Sequence, residues 1–274
     1  MILIFRYLFF FCSFLCISAQ DSLKSTSIAN DFIKDGTIFL EDGASYFTYP
    51  LRADSKDWLI FAGLTATTYS FIYADNWVKE KIGRTTALTL NHDFWDIPTT
   101  YGIVAYANIT ALSTYAVGLF TRQNEIRKVG RMLFQSLSYS GITEMGFRML
   151  VERTRPYYNQ SQWDFHLFTT NNEFQSFPSG HTAVAFAFST VLAEYFDTYY
   201  SRIAFYGLAS LTAYARVLNN QHYLSDVFFG ALVGISGGLH TIAQEKKRNN
   251  PNYLPSRLEV LPGFNQINFV YWLN

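Results

Sequence analysis

Three short clusters in the second half of this chain set charged or nucleophilic side chains beside signs of a helix end. The first is Arg148-Met149-Leu150-Val151-Glu152-Arg153-Thr154-Arg155-Pro156. On a helix, positions 148, 152 and 155 share a face. Pro156 disfavours helical geometry at Arg155, so a helix is predicted to end there. Two guanidiniums then stand where a helix meets a loop, and their planar forks suit an oxyanion because each donates two parallel hydrogen bonds. The plainer alternative is a salt-bridged face, with Glu144 four residues before Arg148 and Glu152 four after it. The second cluster is Ser176-Phe177-Pro178-Ser179-Gly180-His181, followed by an apolar run. Ser179 is a natural N-cap and Gly180 lets a ligand approach the backbone. Free N–H groups at a helix start attract anions, and His181 stands in that first turn. The third is Ala215-Arg216, then His222 and Asp226. Asn219-Asn220 marks a break, so His222 and Asp226 meet if the next helix starts by His222. A carboxylate on one imidazole nitrogen fixes the tautomer and leaves the other as a nucleophile. A structural Asp–His pair is the alternative.

Taken singly, each cluster has an ordinary explanation. Together they supply three arginines, one helix N-terminus and two histidines, all at helix ends that alternating helices bring to one face. Attack on a phosphate monoester needs that set: charge on the phosphoryl oxygens, a nucleophile and a proton donor. The chain here resembles the type 2 phosphatidic acid phosphatases, which are related to bacterial acid phosphatases and vanadium haloperoxidases. Their pattern is Lys-x6-Arg-Pro, then Pro-Ser-Gly-His, then Ser-Arg-x5-His-x3-Asp, and the match runs over about residues 130–243. Pro178-Ser179-Gly180-His181 and Arg216-x5-His222-x3-Asp226 match in full, whereas Arg148 replaces the Lys and Ala215 the Ser. The resemblance implies that His222 is the nucleophile, forming a phosphohistidine, that Asp226 orients it, and that His181 protonates the leaving oxygen. It implies that Arg148, Arg155, Arg216, Ser179 and Gly180 hold the phosphoryl oxygens, with no metal and no cofactor. It also implies an all-α helical bundle with the active site at the helix ends.

The elements that must position these groups can be read from hydropathy. Six apolar segments run roughly over Trp58–Ala74, Ile97–Phe120, Met132–Val151, Gly180–Phe196, Ile203–Leu218 and Val227–Ala243, and their length predicts about six core helices. Residues 58–248 form the helical domain. Residues 21–57 are polar, with Gly36, Gly43 and Pro50, and read as an irregular lead-in. Residues 249–274 form a tail with a short strand over 267–272. Residues 1–20 carry Arg6 and an apolar run from Tyr7 to Ile17, shorter than the ~20 residues of a span, so they read as a signal peptide or an N-terminal membrane anchor. Cys12 and Cys16, the two cysteines of the chain, both lie there, which excludes a Cys-based site in the rest. His92 and His166 read as loop residues and His240 as a core residue; none has zinc-site spacing.

Net charge is zero, so bulk charge suggests no nucleic-acid partner. Charged residues are 15% and aromatics 18%, a balance that suits a helical protein in or beside a membrane, although mean hydropathy is only +0.05. Arg122, Arg127, Lys128 and Arg131, and later Lys246-Lys247-Arg248, fall opposite the three clusters in a six-helix reading. The positive-inside rule then faces the site out of the cytoplasm. A cleaved signal would place residues 21–57 outside and six spans would place them inside; the site faces outward in both cases. A site in the membrane implies a lipid phosphate as substrate. A soluble exported domain implies a broad acid phosphatase, and a vanadate-dependent haloperoxidase could use the same cage.

Overall fold

A computed structural model of the chain describes residues 27–89, 92–168, 172–250, 258–262 and 267–271. The signal-like segment lies outside them. Eight α-helices are described: α1 Ile28–Phe47, α2 Ser55–Thr89, α3 His92–Tyr101, α4 Val104–Phe120, α5 Asn124–Leu150, α6 Gly180–Phe196, α7 Tyr199–Leu218 and α8 Leu224–Asn249. Two small antiparallel ladders accompany them. One joins β1 Glu152–Arg153 to β2 Phe165–His166. In the tail, β3 Leu258–Pro262 pairs with β4 Ile267–Tyr271, so the expected strand exists and has a partner. The all-α class expected from the sequence is observed.

The core lies between α5, α6 and α8. Val129, Leu133, Ala187, Val191, Leu192 and Ile242 are buried there against one another. Small residues let α8 cross α6 almost backbone to backbone. A Cβ on Gly234 would lie 2.3 Å from the Ala183 carbonyl oxygen, and one on Gly230 2.6 Å from that of Ser179. Only glycine permits this approach. It sets the first turn of α8 against the first turn of α6, where the second and third clusters sit. The Ser179 N–H donates to the Asp226 carbonyl at 3.1 Å and locks the two turns together.

Two expectations require correction. Residues 28–47, read as irregular, form helix α1. Its inward positions include Asp35 and Asp42, both buried, while Phe32, Ile33 and Leu40 are exposed, the reverse of the usual amphipathic arrangement. Those carboxylates meet arginines instead. Asp35 pairs with Arg127 and Arg131 at 3.3 Å, and Asp42 with Arg248 at 2.8 Å. Arg131 also pairs with Glu245 at 2.7 Å. The two basic segments therefore lie together at the end of the bundle opposite the three clusters, as the six-helix reading requires. The second correction concerns Ile97–Phe120, expected as one helix. It is broken after Tyr101, and α3 and α4 are bent by 60°. Gly102 fills the break: a Cβ there would meet the His181 carbonyl at 2.7 Å. The bend thus allows the chain to pass directly under the first turn of α6.

Candidate active site

Each cluster falls at a helix end, and all three ends meet. Arg148 occupies the last turn of α5. Arg155, extended at φ −72 and ψ 148 before Pro156, lies just beyond it. Ser179 is the N-cap residue of α6, with Gly180 and His181 in its first turn. Arg216 closes α7 and is buried. His222 lies in the α7–α8 connection, and Asp226 in the first turn of α8. Arg148, Arg155, Gly180, His181 and His222 line one cavity of about 210 Å³, completed by Val104 and Asn108 of α4 and by Glu144. Ser179 and Arg216 border it without lining it. Ser179 does not cap through its hydroxyl, which instead meets the Thr182 hydroxyl at 3.0 Å. The first backbone N–H groups of α6 are thereby left for an anion.

Arg148 is ion-paired with Glu144, whereas Arg155 and Arg216 have no ion-pair partner among the described residues. Arg155 gives one Nη to the Gln221 side chain at 2.7 Å. The Nε atoms of Arg148, Arg155 and Arg216 are buried with no hydrogen-bond partner among the described residues. Burial, and then repulsion from Arg148, push the Arg155 guanidinium below its ordinary pKa. Desolvated cations with unspent donors stabilise an incoming anion strongly. Arg148→Lys should therefore keep substantial activity, because the charge stays in place. Arg148→Ala should lose about 10–1000-fold in kcat/KM, as for a lost oxyanion contact. Steady-state rates on a single lipid phosphate check this, and an alanine variant at the wild-type rate would reduce Arg148 to a partner of Glu144.

The nucleophile candidate is held differently from the expectation. His222 is buried, and its Nδ1 lies 2.7 Å from the Ser176 carbonyl oxygen, which can only accept. Nδ1 therefore carries the proton and Nε2 keeps its lone pair. Burial, then Arg216 and Arg155, hold the imidazole well below its ordinary pKa, so it stays neutral. Asp226 does not touch the ring. One of its oxygens accepts from the Ser176 hydroxyl at 2.5 Å and from the Tyr223 N–H at 2.8 Å. The other takes Arg153 Nη1 at 2.7 Å. The expected direct contact is thus corrected: Asp226 and His222 are linked through Ser176.

Sequence reasoning passed over Arg153, Ser176, Asp75 and Ser225. Arg153 is fully buried. It gives Nη1 to Asp226 and to the Ser225 hydroxyl at 2.8 Å, and Nη2 to Asp75 at 2.8 Å. Burial opposes its charge, but Asp226 and Asp75 more than offset this and hold it above its ordinary pKa. Asp75 belongs to α2 and also accepts from the Ser225 N–H at 3.0 Å and hydroxyl at 2.6 Å. The other histidines stay apart. His166 stacks on Phe174 with ring centroids 3.9 Å apart. His240 packs on α8 with Nε2 2.9 Å from the Asp42 carbonyl oxygen. The side chain of His92 is outside the described part of the structure.

The structure is an all-helical bundle with arginines, a helix N-terminus and two histidines around one cavity. Residues 130–250 match the model of the PAP2 superfamily. A lipid A 1-phosphatase of Rhizobium johnstonii is 32% identical over 108 residues, which is 39% of this chain and 43% of that protein. One from Porphyromonas gingivalis is 50% identical over 66 residues, 23% of this chain and 15% of that protein. The aligned part of the chain spans less than half the length of these relatives. A transmembrane PAP2 type phosphatidylglycerolphosphate phosphatase of Bacillus subtilis, known as a crystal structure, superimposes with a TM-score of 0.51. It is 20% identical, over 68% of this chain and 96% of its own, a likeness of fold.

Proposed function

We propose that this chain is a metal-independent phosphatase that removes phosphate from a lipid phosphate monoester or pyrophosphate through a phosphohistidine. The observation that carries the reading is the shared cavity of Arg148, Arg155, Gly180, His181 and His222. In this mechanism His222 Nε2 attacks phosphorus. A P–N bond forms, the P–O bond to the leaving group breaks, and His181 gives the departing oxygen its proton. Water then attacks phosphorus, the P–N bond breaks, and His181 takes the proton of the water. Arg148, Arg155, Arg216 and the α6 N-terminus hold the charge on the equatorial oxygens throughout.

The lipid substrate is favoured by the surface of α2. Trp58, Leu59, Ile60, Phe61, Tyr73 and Trp77 are all exposed on it. Between the two tryptophans the only acidic or basic residue is Asp75, which is 1% exposed and turned into the site. The 19 steps from Trp58 to Trp77 cover about 28 Å at 1.5 Å each. That length is close to the thickness of the hydrocarbon core of a bilayer, and tryptophan favours its interfaces. Of the described helices, α8 alone is by itself long and apolar enough to cross, and the bent pair α3–α4 qualifies together. Positive-inside placement counts Lys and Arg rather than net charge. On this reading the end that carries Arg127 and Arg248 faces the cytoplasm and the site faces outward, although acids pair with those arginines.

The test is phosphate release by the purified full-length chain in detergent and EDTA, with a lipid A 1-phosphate and nitrophenyl phosphate compared. The lipid should be preferred, and chelation should leave the rate intact. Loss in EDTA, restored by a divalent ion, would rule out this mechanism. Preference for the soluble ester would point to an exported acid phosphatase, and halide oxidation with added vanadate to a haloperoxidase.

A further inference from the structure

One group in the phosphate cavity has no part in the chemistry above. Glu144, one turn before Arg148 on α5, is 8% exposed and lines the same cavity as Arg155, His181 and His222. Its Oε1 is in very close hydrogen-bonding contact with Arg148 Nη2. Both groups press on the α6 N-terminus. A Cβ on Gly180 would lie 2.9 Å from Arg148 Nη2 and 3.2 Å from Glu144 Oε1. An exposed pair four apart on a helix contributes little. This pair is different, because its carboxylate is taken out of water beside the place where a phosphate must sit. A carboxylate there repels an oxyanion and competes with it for the same guanidinium. Arginine makes such sharing possible: one Nη goes to Glu144 while Nε stays buried and unpartnered. The ammonium of a lysine has no comparable fork.

We propose that Glu144 is a positioning residue with a second, opposing effect: it holds Arg148 at the cavity and weakens the grip of the site on oxyanions, so that the phosphate product can leave. This rests on the active site assigned above. In the empty site Glu144 takes the charge of Arg148. When phosphate enters, the guanidinium is shared, and the nearby carboxylate keeps the bound anion from being held too tightly.

Glu144→Gln removes the charge while keeping an oxygen for Arg148. In the detergent-solubilised full-length chain, inhibition constants for vanadate and inorganic phosphate should both fall, by about tenfold or more if one close charge repulsion is removed. KM should fall with them, and kcat should not rise. Glu144→Ala removes the same charge by another route and should also tighten both anions, though less, since Arg148 loses its anchor. A purely structural role would weaken binding or leave it unchanged. Unaltered or weaker inhibition in a folded Gln or Ala variant overturns the proposal. Arg155→Ala is the control: if it abolishes vanadate inhibition while Glu144→Gln changes nothing, the site stands and only the role of Glu144 fails. If neither anion inhibits the wild type, the site assignment fails and the role of Glu144 with it.

Discussion

His222→Ala should abolish turnover of every substrate, whereas His181→Ala should fail only where the leaving group needs a proton. The asymmetry follows from how the two rings are held. The Ser176 carbonyl accepts the His222 Nδ1 proton at 2.7 Å, so Nε2 is the lone pair available to phosphorus. Without that ring no covalent intermediate can form. His181 lines the same cavity from the first turn of α6; burial, then Arg216, Arg155 and Arg148, lower its pKa to about 4 in the empty site, so in the proposed role it takes up its proton with the phosphate before giving it to the leaving oxygen. An alkoxide from a lipid phosphate needs its proton, so loss there should reach about 100–10,000-fold. Nitrophenolate leaves unaided and should lose far less. Rapid quench with labelled phosphate should trap an acid-labile phosphoenzyme in His181→Ala and none in His222→Ala. The pH profile adds a further check. His222 must be neutral to attack, and burial with Arg216 and Arg155 lowers its pKa well below the usual imidazole value. As pH falls, the loss of kcat/KM that its protonation causes should therefore come well below pH 6.5, the ordinary value. Equal moderate losses for both variants on both substrates would make the two histidines structural.

The parts of the site carried by local signals were open to reading. Ser179-Gly180 and Asn219-Asn220 each mark a helix end, and the structure places helix ends at both; the end expected at Arg155 comes earlier, because α5 stops at Leu150 and Glu152–Arg153 pairs as a strand with Phe165–His166. Alternation of the apolar segments was enough to gather Arg148, His181 and His222 on one face. What could not be read depended on distant partners. Asp75 meets Ser225 from 150 positions away, with only an apolar helix around it as a clue. Polar residues with Gly36, Gly43 and Pro50 made residues 21–57 look irregular, but the carboxylates Asp35 and Asp42 are buried against arginines that lie far off in the sequence. The spacing of His222 and Asp226 suggested direct contact. In fact α8 begins only at Leu224, so Asp226 falls in its first turn and turns back to the Tyr223 N–H. The break at Gly102 was hidden because a bend inside an uncharged apolar run leaves hydropathy unchanged.

Arg153→Met should damage the fold far more than Asp75→Asn, although the two side chains bond each other. Arg153, Asp75 and Asp226 are all within 1% of complete burial. Together they carry one positive and two negative charges. Removing the guanidinium leaves two uncompensated carboxylates out of water, a loss of about 3–5 kcal/mol. That is a large part of the roughly 5–15 kcal/mol that holds a typical domain. Removing the Asp75 charge leaves a neutral Arg153–Asp226 pair, and asparagine can still accept from Ser225, so the loss should be about 1–2 kcal/mol. Lysine at 153 should rescue little, because a single ammonium cannot span Asp226 at 2.7 Å and Asp75 at 2.8 Å as the fork does. The consequence reaches the nucleophile. Asp226 accepts from the Ser176 hydroxyl, and the Ser176 carbonyl fixes His222, so an Asp226 freed from Arg153 loosens the ring that must attack. Thermal unfolding in detergent measures the first effect, and phosphoenzyme yield per folded protein the second. Comparable unfolding temperatures for Arg153→Met and Asp75→Asn would show that the charge balance of this cluster does not govern the stability of the site.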